Sequence, residues 1–197
     1  MNNEEKILKL AQDNNGHITT KVVEENDIKR QFLSYLLKKG KLERLERGIY
    51  ILPSEIEDIY FILQNKNKNL IFSHVTALRF HNLSDRIPHI LDITVTKEYR
   101  GSLQKRENIN LFRIKKEDIN LGMIYVNSPY GNKIKTYDME RCICDIIKDK
   151  KYIELELFNK AIRGYHFRSD KNVFKLIDYA KRMGIEKEVL STFEVLL

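Results

Sequence analysis

A chain of 197 residues is long enough for one medium-sized domain or two smaller ones. Its composition, 42% hydrophobic and 32% charged, is typical of folded proteins and excludes an intrinsically disordered chain. No stretch approaches the ~18 consecutive apolar residues of a membrane helix, and residues 1–5 lack the pattern of a signal peptide, so we expect a cytoplasmic protein.

Basic side chains outnumber acidic ones by 35 − 28 = 7, and they are unevenly distributed along the chain. Residues 1–28 contain three basic and six acidic side chains, whereas residues 29–47 contain seven basic and two acidic ones. A local excess of positive charge favours a polyanionic partner, although a basic run is often only a solvated face.

The spacing of apolar residues predicts three short helices in the first 40 residues. They cover residues 4–14, residues 21–25 with Thr20 as the N-cap, and a third segment that begins near Ile28 and ends at Gly40. Residues 17–19 form a brief extended link between the first two helices.

The third predicted helix has an apolar side and a polar side. Phe32, Leu33, Leu36 and Leu37 cluster when the residues are placed at about 100° intervals, which predicts a buried face. We predict that the polar side and its flanking residues contact bases and phosphates, through Lys29, Arg30, Gln31, Ser34, Tyr35, Lys38, Lys39 and Lys41.

Residues 41–45 and 49–52 are predicted to form two strands around a turn that contains Gly48. We expect Arg44 and Arg47 on this hairpin to reach the DNA backbone. Three helices followed by a basic hairpin are typical of a winged helix-turn-helix, whose third helix enters the major groove of double-stranded DNA. The sequence therefore predicts a DNA-binding domain over residues 1–53, with a structural helical unit carrying solvated lysines as the alternative.

A second domain is predicted over residues 54–197, opened by a helix whose capping box is Ser54 to Glu57. Its strands are predicted at 70–72, 90–95, 109–114, 123–126 and 133–137. Its further helices are predicted at 74–80, 139–148, 153–162, 171–183 and 186–196. The fold class is therefore α+β, an N-terminal winged helix-turn-helix followed by a larger mixed domain with a central sheet and a C-terminal group of helices.

The sequence lacks common signatures of catalysis and metal binding. No cysteine or carboxylate stands at metal-ligand spacing from any of the five histidines, His17, His74, His81, His89 and His166. Phosphate-binding and acyl-transfer motifs are also absent. Cys142 and Cys144 lie two apart in a predicted helix and cannot bridge each other, so we expect both to be reduced and buried. We predict no metal, no cofactor and no enzyme.

Two polar clusters and one basic segment remain to be explained. The clusters are Ser73 to Thr76 with Ser84 to Arg86, and Asp138 to Arg141 with Asp145. Helix caps, and a buried ion pair that includes Glu140 and Arg141, would explain both clusters locally. The segment from Lys97 to Lys116 holds seven basic and two acidic residues. It is predicted to be a solvated loop, with a second nucleic-acid surface as the alternative.

At these clusters the sequence resembles the AbiEi family, the antitoxins of bacterial AbiE-type abortive-infection, type IV toxin-antitoxin systems. Four motifs carry the resemblance, namely Leu42-x-Arg44 with Arg47-Gly48-Ile49-Tyr50; Ser73-His74-x-Thr76-Ala77-Leu78 with His81 and Leu83-Ser84-Asp85-Arg86-Ile87-Pro88; Thr136-Tyr137-Asp138-x-Glu140-Arg141-x-x-Cys144-Asp145; and Tyr179-Ala180-Lys181-Arg182. Together they extend over nearly the full length of the chain.

The resemblance implies an N-terminal module that represses its own operon, and we expect this module to bind inverted repeats in the promoter. It also implies a C-terminal domain that opposes a nucleotidyltransferase-like toxin without a stable complex. The family motifs name the candidates for this antitoxin role as Thr76, Asp85, Arg86, Asp138, Glu140, Arg141 and Asp145.

Two other functions stay open from the sequence. One is a nuclease in which Asp85, Asp92, Glu140 or Asp145 holds a magnesium ion behind the DNA-binding module. The other is a ligand-sensing transcription factor with a small-molecule pocket in its second domain.

Overall fold

The computed structural model describes residues 2–194, which form two compact units. The first unit comprises the residues up to Lys66 together with Asn127–Ile134, and the second comprises Asn67–Val126 and the residues from Lys135 onward. Helices and strands are mixed along the chain, which confirms the predicted α+β class. Within residues 2–194, no helix has both the length and the apolar character needed to cross a membrane.

The described part of the first unit contains a three-stranded antiparallel sheet with strand order β1-β3-β2. Its elements are α1 (Asn3–Asp13), β1 (His17–Thr19), α2 (Thr20–Glu25), α3 (Gln31–Lys38), β2 (Glu43–Glu46), β3 (Ile49–Ile51) and α4 (Ile59–Lys66). The predicted extended link at residues 17–19 is thus a strand, because it pairs with β3. Residues 54–66, which the sequence analysis assigned to the second domain, belong to this unit.

Apolar side chains of the three N-terminal helices form the core of the first unit. Leu33 and Leu36 of α3 are buried there, and Phe32 and Leu37 are half-buried against the same core. The predicted apolar side of the third helix is therefore confirmed. The helix itself is shorter than predicted, because it begins at Gln31.

Two predicted helix starts in this unit are wrong. Thr19, not Thr20, caps α2, because the Thr19 hydroxyl accepts a hydrogen bond from the amide of Val22 at 3.2 Å. The helix expected from the capping box at Ser54 begins only at Ile59.

Asp58 sets the start of α4. Its Oδ1 accepts hydrogen bonds from the amides of Tyr60 and Phe61 at 3.0 and 3.1 Å, which satisfies two donors of the first turn. Its Oδ2 accepts from the side chains of Ser128 and Asn132, the latter at 2.9 Å. A buried carboxylate thus holds the loop 127–134 to the beginning of α4 within the first unit.

His17 completes this buried polar cluster. Its Nε2 accepts a hydrogen bond from the amide of Asp58 at 3.1 Å, while its Nδ1 lies 2.8 Å from the carbonyl oxygen of Asn15. Because a carbonyl only accepts, this geometry assigns the proton to Nδ1 and describes a neutral imidazole. The histidine therefore has a structural role in linking β1 to α4.

The second unit is built on a sheet with strand order β6-β5-β4-β8-β7. Its elements are β4 (Ile71–Phe72), α5 (His74–Phe80), β5 (Leu91–Thr96), β6 (Ile109–Ile114), β7 (Met123–Asn127), β8 (Lys133–Tyr137), α6 (Met139–Lys148), α7 (Leu155–His166), α8 (Val173–Met183) and α9 (Glu186–Glu194). Strand β4 is antiparallel to β5 and parallel to β8. The last predicted helix, 186–196, ends outside the described residues.

Helix α6 is the central element of the second unit, because every residue from Met139 to Ile147 is buried. Cys142 and Cys144 lie on it and are both free thiols, as predicted. Burial raises the pKa of both thiols, that of Cys144 to about 12. The two cysteines are therefore part of the apolar core.

Candidate nucleic-acid interface

An open groove of about 960 Å³ lies between the beginning of α3 and the β2–β3 hairpin of the first unit. Six of the ten side chains predicted to bind DNA line it, namely Lys29, Arg30, Gln31, Ser34, Arg44 and Arg47. Thr20, Glu24, Gly48 and Tyr50 complete the lining. The structure thus brings together the predicted residues of the helix and those of the hairpin.

The buried side of α3 determines which of its residues reach the groove. Leu33 and Leu36 are anchored in the core, so Gln31 and Ser34 on the other side are exposed. No side chain caps the first turn of α3, and Arg30 occupies the N-cap position. The amides of Phe32 and Leu33 donate to the carbonyls of Lys29 and Arg30, so the positive end of the helix dipole is what favours an anion at this end.

A β-bulge and a glycine place the two hairpin arginines. Arg44 pairs with Tyr50 and Glu46 pairs with Ile49, so one extra residue interrupts the register between them. Gly48 turns the chain at φ +80°, a conformation that other residues rarely adopt. Arg47 therefore lies at the tip of the hairpin, next to Gly48.

The groove is strongly electropositive. It contains four cationic side chains and one carboxylate, that of Glu24. Among the described residues, none of the four cations forms an ion pair with a carboxylate, and Arg44 only donates from Nε to the carbonyl of Glu46 at 3.3 Å. These charges are therefore available to an anionic partner such as a phosphate backbone.

The other four predicted DNA-binding residues, Tyr35, Lys38, Lys39 and Lys41, lie towards the end of α3 and do not line the groove. All four are exposed. Lys39 Nζ stands 4.4 Å from the ring centre of Tyr35, and their hydrogen bond raises the pKa of the lysine. These four residues could therefore contact DNA only outside the groove.

Four antitoxin candidates come together on α6 in the second unit. Asp138 caps the helix by accepting from the amide of Arg141 at 2.9 Å, and it also pairs with Lys175 Nζ at 2.8 Å. Glu140 accepts from the amide of Asn172 at 2.9 Å and lies 3.7 Å from the same lysine. Both carboxylates are buried, so they fasten α6 to the segment around α8.

Arg141 pairs with Asp145, not with its neighbour Glu140 as the local interpretation suggested. The guanidinium donates from Nε to Asp145 at 2.9 Å and from Nη1 to the carbonyl of Leu121 at 2.9 Å. Burial is the largest single influence and lowers the pKa of Arg141, but the interactions with Asp145, Tyr137 and Cys142 together outweigh it, so the pKa of the guanidinium is raised. Among the described residues, Asp145 Oδ2 is a buried atom without a hydrogen-bond partner.

The remaining candidates lie apart from this network. Thr76 is buried, and its hydroxyl accepts from the amide of Asp92 at 2.8 Å. Asp85 is exposed and pairs with Lys160 at 2.7 Å, and the hydrogen bond from this lysine lowers the pKa of the carboxyl. Arg86 is also exposed, and it pairs with Glu154 and Glu156.

The carboxylates named for a magnesium site do not converge. Asp92 accepts hydrogen bonds from the amide of Val75 and the side chain of Asn110, both at 3.0 Å, whereas Asp85, Glu140 and Asp145 have the separate partners given above. Residues 2–194 contain no group of three or more histidine, cysteine, aspartate or glutamate side chains placed to hold a metal ion. This geometry does not favour the nuclease alternative.

A family model described as "Transcriptional regulator, AbiEi antitoxin" matches residues 5–53. In fold, the chain is similar to a solved structure described as "Crystal structure of RV2827C protein from Mycobacterium tuberculosis". The TM-score is 0.55 at 15% sequence identity, and the match covers 89% of this chain and 69% of the other. At this identity the similarity concerns the fold alone. No curated protein matches the chain.

Proposed function

We propose, from the match of residues 5–53 to the model of the AbiEi antitoxin transcriptional regulators, that the chain represses its own operon and acts as a type IV antitoxin in the cytoplasm. The first unit is then a winged helix-turn-helix with α3 as the recognition helix and the β2–β3 hairpin as the wing. Its ligand is double-stranded DNA with inverted repeats in the promoter of the operon.

The unpaired cations of the groove carry this proposal. A recognition helix needs polar side chains for base edges, flanked by cations for the phosphates. Gln31 and Ser34 supply the first group, and Lys29, Arg30, Arg44 and Arg47 supply the second. Lys38, Lys39 and Lys41 extend the phosphate contacts beyond the groove, with Tyr35 beside them.

Gln31→Ala tests the base-reading part of the proposal. A glutamine amide can hydrogen-bond an adenine edge with both of its polar atoms, and such a pair contributes about 1–3 kcal/mol of discrimination. We expect the preference for the upstream DNA of the operon over scrambled DNA to fall by roughly tenfold in a mobility-shift titration. Gln104→Ala, an exposed glutamine of the second unit, is the matched control. An unchanged preference in Gln31→Ala would remove this residue from base recognition.

For the antitoxin role we propose that the candidates divide by exposure. Asp85 and Arg86 are accessible and are the contact residues. Thr76, Asp138, Glu140, Arg141 and Asp145 are buried and maintain the fold that presents them. The target of this surface is a nucleotidyltransferase-like toxin or its substrate, since the proposal includes no stable complex between antitoxin and toxin.

Arg86→Ala tests this division in cells that express the toxin of the operon. We expect protection from the toxin to fall at least about tenfold in colony counts, while the melting temperature changes little because exposed ion pairs contribute little stability. Arg163→Ala, which removes an exposed arginine of α7, should leave protection intact. Full protection by Arg86→Ala would exclude this residue from the contact surface.

A further inference from the structure

The second unit contains a pocket of about 320 Å³ whose charged side chains are almost all basic. Its cations are Lys97, Arg113, Lys115, Arg141, Lys148 and Arg182, and Asp118 is the single carboxylate of the lining. They converge from β6, α6, α8 and the loops that follow β5 and β6. Tertiary structure therefore assembles this pocket, which is not simply the predicted basic run from Lys97 to Lys116.

Charge neutralisation in the pocket is incomplete. Carboxylates pair with Lys115 at 3.4 Å, with Arg141 at 2.9 Å and with Arg182 at 3.0 Å. The six cations of the pocket are therefore opposed by four carboxylates, the three paired ones and Asp118, which leaves a net charge of 6 − 4 = 2. Among the described residues, Lys97, Arg113 and Lys148 have no carboxylate partner. A pocket of this kind attracts an anion with more than one charge.

Arg141 gives the pocket a fixed anion-binding group. Its side chain is only 3% exposed, and Nε and Nη1 are engaged by Asp145 and by the carbonyls of Asp118 and Leu121. The ring of Tyr137 lies 4.2 Å from the guanidinium carbon. A guanidinium held in one orientation at the wall of a pocket is well suited to bind a phosphate oxygen.

We propose that this pocket binds a small polyanion that carries two or more phosphate groups. The volume lies in the range of small-molecule sites and is too small for a duplex, which instead needs an extended track of cations. Inorganic pyrophosphate and a nucleoside polyphosphate share this chemistry. The inference does not depend on the DNA-binding function, because the two sites use different residues in different units.

Isothermal titration calorimetry of the full chain tests the proposal. The protein carries Arg44→Ala and Arg47→Ala, so that the groove of the first unit no longer competes for phosphates. Pyrophosphate, ATP and orthophosphate are titrated separately without divalent metal. We expect saturable binding of the first two at one site, at least about tenfold tighter than orthophosphate because further charge-assisted contacts form. Tighter binding of ATP than of pyrophosphate would identify a nucleotide ligand, and equal binding would identify the phosphates alone.

Lysine variants locate the binding site. Lys148→Ala and Lys97→Ala each remove an exposed charge, so the fold should be kept, and each should weaken pyrophosphate binding about tenfold. Lys105→Ala is the matched control, because this exposed lysine belongs to the same basic run but lies outside the pocket. Absence of saturable heat, or equal losses in all three variants, would overturn the proposal. Heat obtained only with a DNA oligonucleotide would also overturn it, in favour of a nucleic-acid surface.

Discussion

Arg141→Met should lower the free energy of unfolding by about 3–5 kcal/mol, the range expected when one partner of a buried ion pair is removed. The substitution leaves Asp145, which is 4% exposed, as an unpaired charge in the core. One of its carboxylate oxygens already lacks a hydrogen-bond partner among the described residues. Few neighbouring groups can therefore stabilise the charge of Asp145 once Arg141 is removed. Urea denaturation followed by circular dichroism measures the loss.

A double variant distinguishes the energetic cost of the unpaired buried charge from the cost of the lost packing. In Arg141→Met/Asp145→Asn the remaining group is neutral, and we expect more than ~1 kcal/mol to be recovered, because the charge was the main cost. Arg182→Met, which breaks an exposed pair with Asp178, should change stability little. A single Arg141→Met variant as stable as the parent protein would show that Asp145 is not charged in the fold.

Arg44→Ala/Arg47→Ala should weaken binding to every DNA sequence, by roughly 50- to 100-fold at 0.1 M salt. If the first unit neutralises about five phosphates, the logarithm of affinity should fall with the logarithm of salt concentration at a slope of about −4 to −5, at roughly 0.9 per phosphate. Removing two phosphate contacts should make this slope less steep by about two. Fluorescence anisotropy titrations from 0.05 to 0.3 M salt measure it.

The control for this experiment removes the same charge elsewhere. Lys105→Ala/Lys187→Ala eliminates two exposed lysines of the second unit and should leave the slope unchanged. If the control lost affinity and the arginine variant did not, the DNA surface would have to be moved to the basic segment from Lys97 to Lys116.

Apolar periodicity predicted several regular elements of the second unit well. The observed bounds of α5, β6, β8 and α6 coincide with the predicted ones, because the apolar residues of each recur at a clear helical or strand spacing. The exposure of Gln31 and Ser34 followed from the same argument, since the buried leucines fix the rotation of α3.

Predictions failed where a distant residue overrides a local signal. The capping box at Ser54 is a good local motif, yet Asp58 caps α4 because it also bonds to residues 41 to 74 positions away. Likewise, Thr20 and Glu24 line the groove only because α2 packs near the hairpin, and nothing in their local sequence indicates this. Tyr50 was within a family motif, but its place in the groove depends on the bulged register of β2 and β3.

The loop at residues 127–134 has a consequence for how the first unit is completed during synthesis. The buried carboxylate of Asp58 accepts a hydrogen bond from Ser128, which lies 70 residues later in the chain. This hydrogen bond cannot form until Ser128 has been synthesised. The ribosome has by then made β4, β5, β6 and β7 of the second unit. A nascent chain released early, or a fragment that ends at residue 53, therefore lacks part of the first unit's polar core. We therefore expect a first unit made without residues 127–134 to be less stable than that of the full chain.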